Sequence, residues 1–445
     1  MFNTAIIGCG FSGAMVLANL VRHSTHPQSI IIFDRSPAPA LGVAYATRSP
    51  FHLLNVRAHK MGAFADNERG FIEWLSTGEA HQFCQANHLP LKWQDEDFAP
   101  RMLYGAYLTS ILKETLILAQ QKKIQIEFCN EEAMAIVPEA EFFSVVSSTR
   151  TIHTSNIVLA TGNRFAPGDH ANVGRYVYDV WNFDFSAFAL SEEKHERPAV
   201  IVGMGLTAID TVLSLWKGGW KKPIVMVSRR ALLPAVHAEY KPALGKIEGT
   251  SLLTFVKQLR KAARQEPSWQ AVVDSIRSRT LSIWQSFSVA ERRYFFRKLF
   301  TYWNIHRHRM APEIGQPLWN AINNGDVLLQ QGSIASVEPE AGHVRVQLFS
   351  RTNIAPMQAA AVFHCVGPDY RGIVESPLLS HLLASRLLQK SPTGYGILTD
   401  EKFVAWQDGY KSIYAMGNYL LGERLETTAV PELRVQAAEI GKNLA

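Results

Sequence analysis

The chain has 445 residues, of which 47% are hydrophobic and 19% are charged, so it is long enough to bury more than one core. Its formal net charge is +6, but the 45 lysines and arginines form no long run, which argues against nucleic-acid binding. The four cysteines lie far apart, with neither a CxxC pair nor a zinc spacing, so we expect a reducing, cytoplasmic compartment and no metal site.

The first predicted elements are a strand, a turn and a helix. An apolar run over Thr4–Ile7 predicts the strand, and the composition of Ala14–Arg22 predicts the helix. A second apolar run, Ile30–Phe33, ends in Asp34 and completes a βαβ unit. Because the segment lacks a basic leading region, we interpret it as folded structure and not as a signal peptide. Nowhere does an uncharged apolar run reach the roughly 18 to 20 residues of a membrane-spanning helix.

The turn of this unit has the glycine spacing GxGxxG of dinucleotide-binding sites. Its residues are Gly8, Cys9, Gly10, Phe11, Ser12 and Gly13. Glycine is needed there because the cofactor's pyrophosphate approaches the backbone and the helix packs closely on the strand. Asp34, which Arg35 follows, stands 21 residues after Gly13, where a carboxylate accepts hydrogen bonds from ribose hydroxyls. The turn therefore predicts a dinucleotide site; the alternative is a plain glycine turn.

The same pattern recurs 195 positions later, with two differences. A strand over Ala199–Val202 leads into Gly203, Met204, Gly205, Leu206, Thr207 and Ala208, and a strand over Ile224–Val227 ends in Ser228. Alanine replaces the third glycine, and Ser228 with Arg229 and Arg230 takes the place that Asp34 has in the first unit. A carboxylate would repel a 2′-phosphate, whereas serine and arginine bind one, so this unit predicts NADPH over NADH. The alternative is a solvated arginine pair at a strand end, since Arg35 also follows Asp34.

The remaining elements connect and complete these units. A strand over Ile157–Ala160 ends in Thr161 and Gly162, and residues near 165–198 are interpreted as a linker. Apolar residues at helical spacing predict a helical insertion over about 250–310. The chain closes with a strand over Ser412–Met416, the pair Gly417–Asn418, and a helix from about Ala429 with Thr428 as its expected cap. We expect an α/β fold with two Rossmann-like domains, residues 1–168 together with 365–445, and residues 196–364 with the insertion.

Several further segments carry a resemblance to a known family. They are Leu41–Tyr45, His52–Val56, Met61, Phe71, Trp74, Arg101–Gly105, Ser228–Arg230 with Leu233 and Pro234, His306–Arg309 with Ala311 and Pro312, and Val430–Arg434. In this order they resemble the bacterial FAD/NAD(P)-binding family related to flavin-dependent N-hydroxylating monooxygenases, over essentially the whole chain. The resemblance implies that the first unit binds FAD and the second a nicotinamide cofactor.

The resemblance also implies roles for single residues. The loop from Leu41 to Met61 is expected to cross the flavin ring, with Asn55 near its reactive edge as the candidate catalytic residue and Arg101 close to the FAD. For Asn55 and His52, turn capping or packing is an alternative. Lys60 is expected either to bind an anion or to be solvated.

Two other segments leave alternatives open. The run His306–Arg309 is expected either to benefit from a helix C-terminus or to bind NADPH phosphates or an acidic substrate. Gly417–Asn418 stands where related flavoproteins have Gly-Asp, and the asparagine amide can both donate and accept a hydrogen bond.

The resemblance implies that NADPH reduces the FAD and that the reduced flavin forms a C4a-hydroperoxide with dioxygen, which hydroxylates a small, amine-type substrate. No cysteine pair is present to pass electrons to a disulfide. Two other classes stay open: an NAD(P)H:acceptor flavin reductase and a non-catalytic nucleotide-binding sensor. The sequence predicts a small-molecule partner and leaves the oligomeric state open.

Overall fold

The computed structural model describes residues 1–163, 175–241, 243, 247, 249–350, 354–370, 372 and 376–445. Its strands are, in chain order, β1 (Phe2–Ile7), β2 (Ser29–Phe33), β3 (Gln125–Cys129), β4 (Ala135–Pro138), β5 (Phe143–Val146), β6 (Thr151–Leu159), β7 (Tyr176–Val177), β8 (Ala199–Val202), β9 (Ile224–Ser228), β10 (Val327–Gln331), β11 (Ser333–Glu340), β12 (His343–Phe349), β13 (Met357–Ala359), β14 (Ala361–His364), β15 (Val404–Asp408) and β16 (Lys411–Ala415).

The α-helices are α1 (Phe11–His23), α2 (Gly42–Tyr45), α3 (Gly70–Trp74), α4 (Gly78–Ala86), α5 (Arg101–Gln121), α6 (Phe185–Ser191), α7 (Leu206–Lys217), α8 (Leu252–Gln265), α9 (Trp269–Ser275), α10 (Thr280–Ser286), α11 (Val289–Lys298), α12 (Phe300–Arg307), α13 (Pro312–Asn324), α14 (Pro377–Ala384), α15 (Leu421–Arg424) and α16 (Val430–Leu444). Short 3₁₀ helices span Ala58–Lys60, Arg277–Arg279 and Gly417–Leu420. Across the described ranges, no helix has both the length and the apolar character that a bilayer crossing needs.

The first sheet brings its glycine turn to the carboxyl ends of parallel strands. Its order is β15-β16-β6-β1-β2-β3, and β4 and β5 extend it in antiparallel fashion beside β6. From β16 to β3 all neighbours are parallel, and Ile7 of β1 pairs with both Phe33 and Leu159. The residues that follow β1, β2 and β6 therefore leave the sheet at one edge, where open α/β sheets bind their ligands.

The C-terminal helix α16 completes the core of this first unit. Helix α1 is buried along its apolar run from Ala14 to Val21 and packs against α16 and α5. The two helices approach so closely that a Cβ on Gly441 would lie 2.5 Å from the Cβ of Asn19. The first core is thus built from both ends of the chain.

The second sheet is wholly parallel, with the order β10-β9-β8-β14-β7. It confirms the predicted second Rossmann-like unit. The predicted linker is wrong over residues 175–198, because β7 pairs with β14 and Phe188 of α6 stacks on Trp220 with ring centroids 5.2 Å apart. The aromatic residues of this segment bury it against the sheet instead of leaving it as a connector. Residues 164–174 of the predicted linker lie outside the described residues.

The predicted insertion is helical and forms α8 to α12 with a core of its own. Trp284, Phe295 and Phe296 lie in that core together with Leu421 and Leu425 from the C-terminal segment. The indole of Trp284 also donates a hydrogen bond of 3.0 Å to the carbonyl of Gly422. The insertion therefore rests on the segment that closes the first unit, although it branches from the second.

Candidate functional site

The first glycine turn is shaped by close backbone contacts. A Cβ on Gly8, whose φ is +96°, would lie 2.5 Å from the carbonyl oxygen of Ala160, and one on Gly13 would lie 1.9 Å from that of Gly8. Gly10 precedes α1, and a Cβ placed there would meet the Cα of Gly42 at 3.4 Å as its nearest described neighbour. No side chain of the described residues caps α1, so the amides of its first turn are available to an anionic group.

The neighbouring predicted residues divide between this turn and the core. Ser12 is half-buried in the first turn of α1, whereas Phe11 is buried. The carboxylate of Asp34 accepts the amide of Cys9 at 2.5 Å and that of Ser36 at 2.7 Å. A carboxylate has about four acceptor positions, so these two bonds orient Asp34 and leave capacity for ribose hydroxyls. Arg35 is exposed and lies 3.5 Å from Glu132.

The ends of β6 and β16 place the other predicted cofactor residues beside this turn. The hydroxyl of Thr161 lies 2.7 Å from that of Tyr419, and Gly162 and Gly417 have φ values of +73° and +68°. Asn418 is buried, and its side-chain nitrogen donates to Asn163. Its Oδ1 is buried and accepts no hydrogen bond from any residue that the structure describes. A buried acceptor without a donor suits a ligand that brings one.

The predicted cap of the last helix is wrong. Helix α16 starts at Val430, with Ala429 preceding it and Pro431 in its first turn. Thr428 therefore stands one residue too early to cap it. Instead, the side chain of Gln436 reaches back from the helix and accepts the amide of Gly417 at 2.8 Å.

The second glycine turn repeats the geometry of the first. A Cβ on Gly203, whose φ is +121°, would lie 2.3 Å from the carbonyl of Cys365. A Cβ on Gly205 would meet no described atom within 4 Å, and Ala208 is fully buried where the first turn has a glycine. Thr207 is half-buried in the first turn of α7 and its carbonyl accepts the hydroxyl of Thr211. Both turns thus begin with a tight glycine, Gly8 or Gly203, and leave an open approach to a helix N-terminus.

The end of β9, which corresponds to the position of Asp34 after β2 in the first unit, carries serine and arginine. The hydroxyl of Ser228 accepts the amide of Ala231 at 3.1 Å, and Arg229 is exposed. The guanidinium of Arg230 lies 4.7 Å from the ring centre of Tyr302. Its Nη1 is buried and donates to no residue of the described chain. A cation with an unused buried donor is suited to bind a phosphate.

Arg101, expected close to the FAD, connects the two units. Its Nη1 lies 2.7 Å from Asp210 of α7, and its Nε donates to the carbonyl of Leu53 at 3.1 Å. Asp210 is 3% exposed. Next to this ion pair, the ring of His52 lies between the hydroxyls of Thr47 and Ser214, at 2.8 and 2.9 Å. Burial lowers the pKa of His52, so the ring is held neutral.

The flavin-loop residues occupy different depths. Met61 is 2% exposed and packs in the first core, whereas Lys60 is exposed. Asn55 is half-buried, and its side-chain amide has no hydrogen-bond partner within the described ranges. The carbonyl of Asn55 contacts His237 Nε2 at 3.0 Å, which ties the flavin loop to the segment after β9.

Both arginines of the run His306–Arg309 pair with carboxylates of the chain. Arg309 is 1% exposed and bonds to Asp274 at 2.7 Å, and Arg307 lies 3.2 Å from Glu426. The phosphate-binding interpretation is therefore wrong for both arginines, because internal carboxylates already neutralise them. Only side chains distant in sequence reveal this pairing.

Sequence reasoning also missed Asp210, Ser214 and His237. Asp210 carries a detectable pattern, since it is a charged residue on a helix face that is otherwise apolar. For Ser214 and His237 we find no local pattern. Among the described residues, no three histidine, cysteine, aspartate or glutamate side chains are grouped as a metal site would require.

Comparison with known proteins places this geometry in context. Residues 5–164 match a family model described as FAD-NAD(P)-binding. Over 48% of the chain, the sequence is 23% identical to the uncharacterized protein YdhS of Escherichia coli K12, and the match covers 39% of that protein's length. The chain thus aligns with less than half of this curated relative.

Solved structures share the fold over the whole chain. An ornithine N-hydroxylase from Kutzneria sp. 744, solved with reduced FAD, NADP⁺ and L-ornithine, has a TM-score of 0.66 at 16% identity, covering 100% of this chain and 99% of that one. An L-lysine 6-monooxygenase from Pseudomonas syringae has a TM-score of 0.61 at 15% identity, with coverage of 100% and 99%. The predicted resemblance is confirmed for the fold, and the family model supports it over residues 5–164.

Proposed function

We propose that this protein is an FAD- and NADPH-dependent oxidoreductase, a monooxygenase that hydroxylates a small amine. The observation that carries the proposal is the pair of similar glycine turns, which have different side chains beside them. Asp34 next to the first turn suits the ribose of FAD. Ser228 and the unpaired guanidinium nitrogen of Arg230 next to the second suit the 2′-phosphate of NADPH.

The chain's own residues bind and orient both cofactors in this proposal. The amides after Gly8 and Gly203 receive the two pyrophosphates, and the buried Oδ1 of Asn418 accepts a hydrogen bond from the flavin or its ribityl chain. We assign the FAD to residues 1–168 with 365–445, and NADPH to residues 196–364. When bound, FAD supplies a hydride acceptor and, once reduced, reactivity toward dioxygen.

The flavin loop supplies the candidate catalytic residue. The side-chain amide of Asn55 is available to a substrate or cofactor, while His237 fixes its carbonyl. Arg101 acts as a positioning residue in this proposal, because it holds the carbonyl of Leu53 in the same loop. Met61, the last residue of that loop, packs in the first core.

In this proposal, dioxygen and not a disulfide accepts the electrons of the reduced flavin. All four cysteines lie in described segments, where each is buried and free. Burial raises the pKa of Cys9 and of Cys365 to about 12, which leaves neither as a reactive thiolate. The named activities of the two solved hydroxylases support an amino acid or a related amine as the substrate. Free, buried cysteines also suit a reducing, cytoplasmic location.

One preparation tests the proposal. The purified protein is expected to be yellow, to lose flavin absorbance anaerobically faster with NADPH than with NADH, and in air to consume NADPH faster when its amine is present, with hydroxylated product. Reduction of dyes or quinones without any hydroxylated product would instead identify an acceptor reductase. A yellow protein that NADPH does not reduce would be a nucleotide-binding sensor, and failure to bind FAD at all would refute the central assignment.

Arg230 provides the test of nucleotide choice. We expect Arg230→Ala to raise the KM for NADPH about 10- to 100-fold while leaving that for NADH nearly unchanged, because a charge-assisted contact to the 2′-phosphate is lost. Arg229→Ala should act in the same direction. Arg150→Ala, which removes an exposed arginine of the first unit, is the control. Equal effects on both nucleotides would contradict the phosphate role.

A further inference from the structure

The positive charge of the chain is concentrated in the helical insertion. Residues 250–310 contain twelve lysines and arginines against three acidic residues, a net charge of +9. Because the whole chain carries +6, all other residues together carry −3. Apolar residues separate these cations along the chain, so they form no continuous run. The insertion is thus a basic body on an otherwise slightly acidic protein.

Helix α8 displays part of this charge as a single face. The α8 basic face consists of Leu253, Lys257, Arg260, Lys261 and Arg264, all of them exposed. At 100° per residue, these five positions fall within an arc of about 100° around the helix axis. The opposite face, which includes Leu252 and Phe255, is buried in the core of the insertion.

The cations of the α8 basic face have no acidic partner in the part of the chain that the structure describes. Other arginines of the insertion do have acidic partners: Arg292 lies 3.0 Å from Glu423, and Arg307 lies 3.2 Å from Glu426. On α8, Lys257 with Lys261 and Arg260 with Arg264 are like-charged pairs at i,i+4 spacing, which weaken a helix. An external anionic surface would relieve this repulsion.

The adjacent helix α11 carries further exposed cations. It contacts α8 through the amide of Leu252, which donates to Glu291 at 2.9 Å. Arg297 and Lys298 of α11 are exposed, and Tyr294 beside them is 48% exposed. Tyrosine with cations at its side is typical of side chains that lie at a membrane–water interface.

We propose that the α8 basic face binds the surface of an anionic lipid bilayer, with Leu253 inserted among the headgroups. Leu253 is 65% exposed and lies in line with the cations. A nucleic acid or an acidic protein would use the charges but gain little from a leucine in that position, whereas a bilayer uses both. The long stems of lysine and arginine allow the charges to stay at phosphate level while the leucine goes deeper.

Vesicle sedimentation tests the electrostatic part. The holoprotein is expected to sediment with vesicles of phosphatidylcholine and phosphatidylglycerol, not with phosphatidylcholine alone, and to be released by high salt. The double variant Lys257→Gln/Lys261→Gln should bind roughly 25-fold more weakly, about 5-fold for each lost charge. The matched control Lys92→Gln/Lys113→Gln removes two exposed lysines of the first unit and should bind like the unchanged protein. Equal weakening by both pairs, or no binding to acidic vesicles at low salt, would overturn the proposal.

A labelled variant separates the bilayer from other polyanions. Since all four native cysteines are buried, an environment-sensitive dye on Leu253→Cys should label that position selectively. Acidic vesicles are expected to shift the dye emission to the blue, and duplex DNA or polyglutamate is not. Binding to those polymers with no blue shift on vesicles would replace the membrane with another partner. Retained flavin content and melting temperature in each variant show that the fold is intact.

Discussion

At Gly13 the space for a side chain is smaller than a methyl group. A Cβ there would lie 1.9 Å from the carbonyl oxygen of Gly8. Neither atom can move aside, because the Cβ is bonded directly to the Cα and the oxygen belongs to the backbone. We expect Gly13→Ala to lower stability by several kcal/mol or to abolish FAD retention, because the turn and α1 must separate. Gly78→Ala, where the added methyl meets no described atom within 4 Å, is the matched control. Flavin content and melting temperature measure both; an unchanged Gly13→Ala protein would show that this contact is unimportant.

Single residues could be predicted from the sequence where their role is local. Gly8, Gly10 and Gly13 lie in one turn, and their spacing expresses a backbone requirement that only glycine meets. Asp34 was predictable as well, because it follows the next strand of the same unit. The pairing of Asp210 with Arg101 was not predictable, since the two residues are more than one hundred positions apart and no spacing rule joins them.

Among the elements, α7 carries the connection between the two units. Asp210 → Ala would leave Arg101 buried without a counter-charge, which costs about 3–5 kcal/mol. We therefore expect a large fall in the melting temperature of this variant. Replacing both partners, as in Arg101→Met with Asp210→Leu, should recover most of the loss because no buried charge remains.

The exposed pair Arg69 and Asp95 is the control for this measurement. Its atoms are equally close, at 2.7 Å, but both side chains are about half exposed. Removing it by Asp95→Ala should lower the melting temperature far less than Asp210→Ala does, because solvent screens an exposed ion pair. A similar loss at both pairs would mean that burial does not set the strength of the Arg101 contact.

Strands and helices were predicted correctly where the spacing of apolar residues identifies them. They were missed where only contacts with distant residues hold them in place. The strands beside the glycine turns and the helices of the insertion follow from apolar spacing. The segment 175–198 was mistaken for a linker because β7 has two residues and α6 has seven, too few for a pattern to emerge. Their place depends on aromatic contacts such as that of Phe188 with Trp220, which no local rule contains.

For the whole molecule, buried histidines predict a loss of stability in acid. Burial lowers the pKa of His237 and of His308 to about 4, below the value of about 6.5 in an unfolded chain. The unfolded chain therefore binds protons first, so stability is complete above pH 6.5 and falls as the pH drops toward 4, by up to about 3 kcal/mol for each histidine.

Melting temperatures at pH 7.5 and pH 5 check this expectation. His237→Gln should reduce the difference between the two, because glutamine does not titrate. His81→Gln, at an exposed position, should leave the difference as it is. A His237→Gln protein with an unaltered pH dependence would show that this ring does not control the acid response.

Strand β16 is synthesised long after β6, a strand with which it pairs. Until residues 412–415 leave the ribosome, Asn156–Leu159 of β6 has an unpaired edge, although the strands on its other side are already made. Unpaired edges invite association with other chains. The second unit and its insertion must be synthesised in that interval, so we expect nascent chains to require a chaperone and to acquire FAD only after β16 has been synthesised.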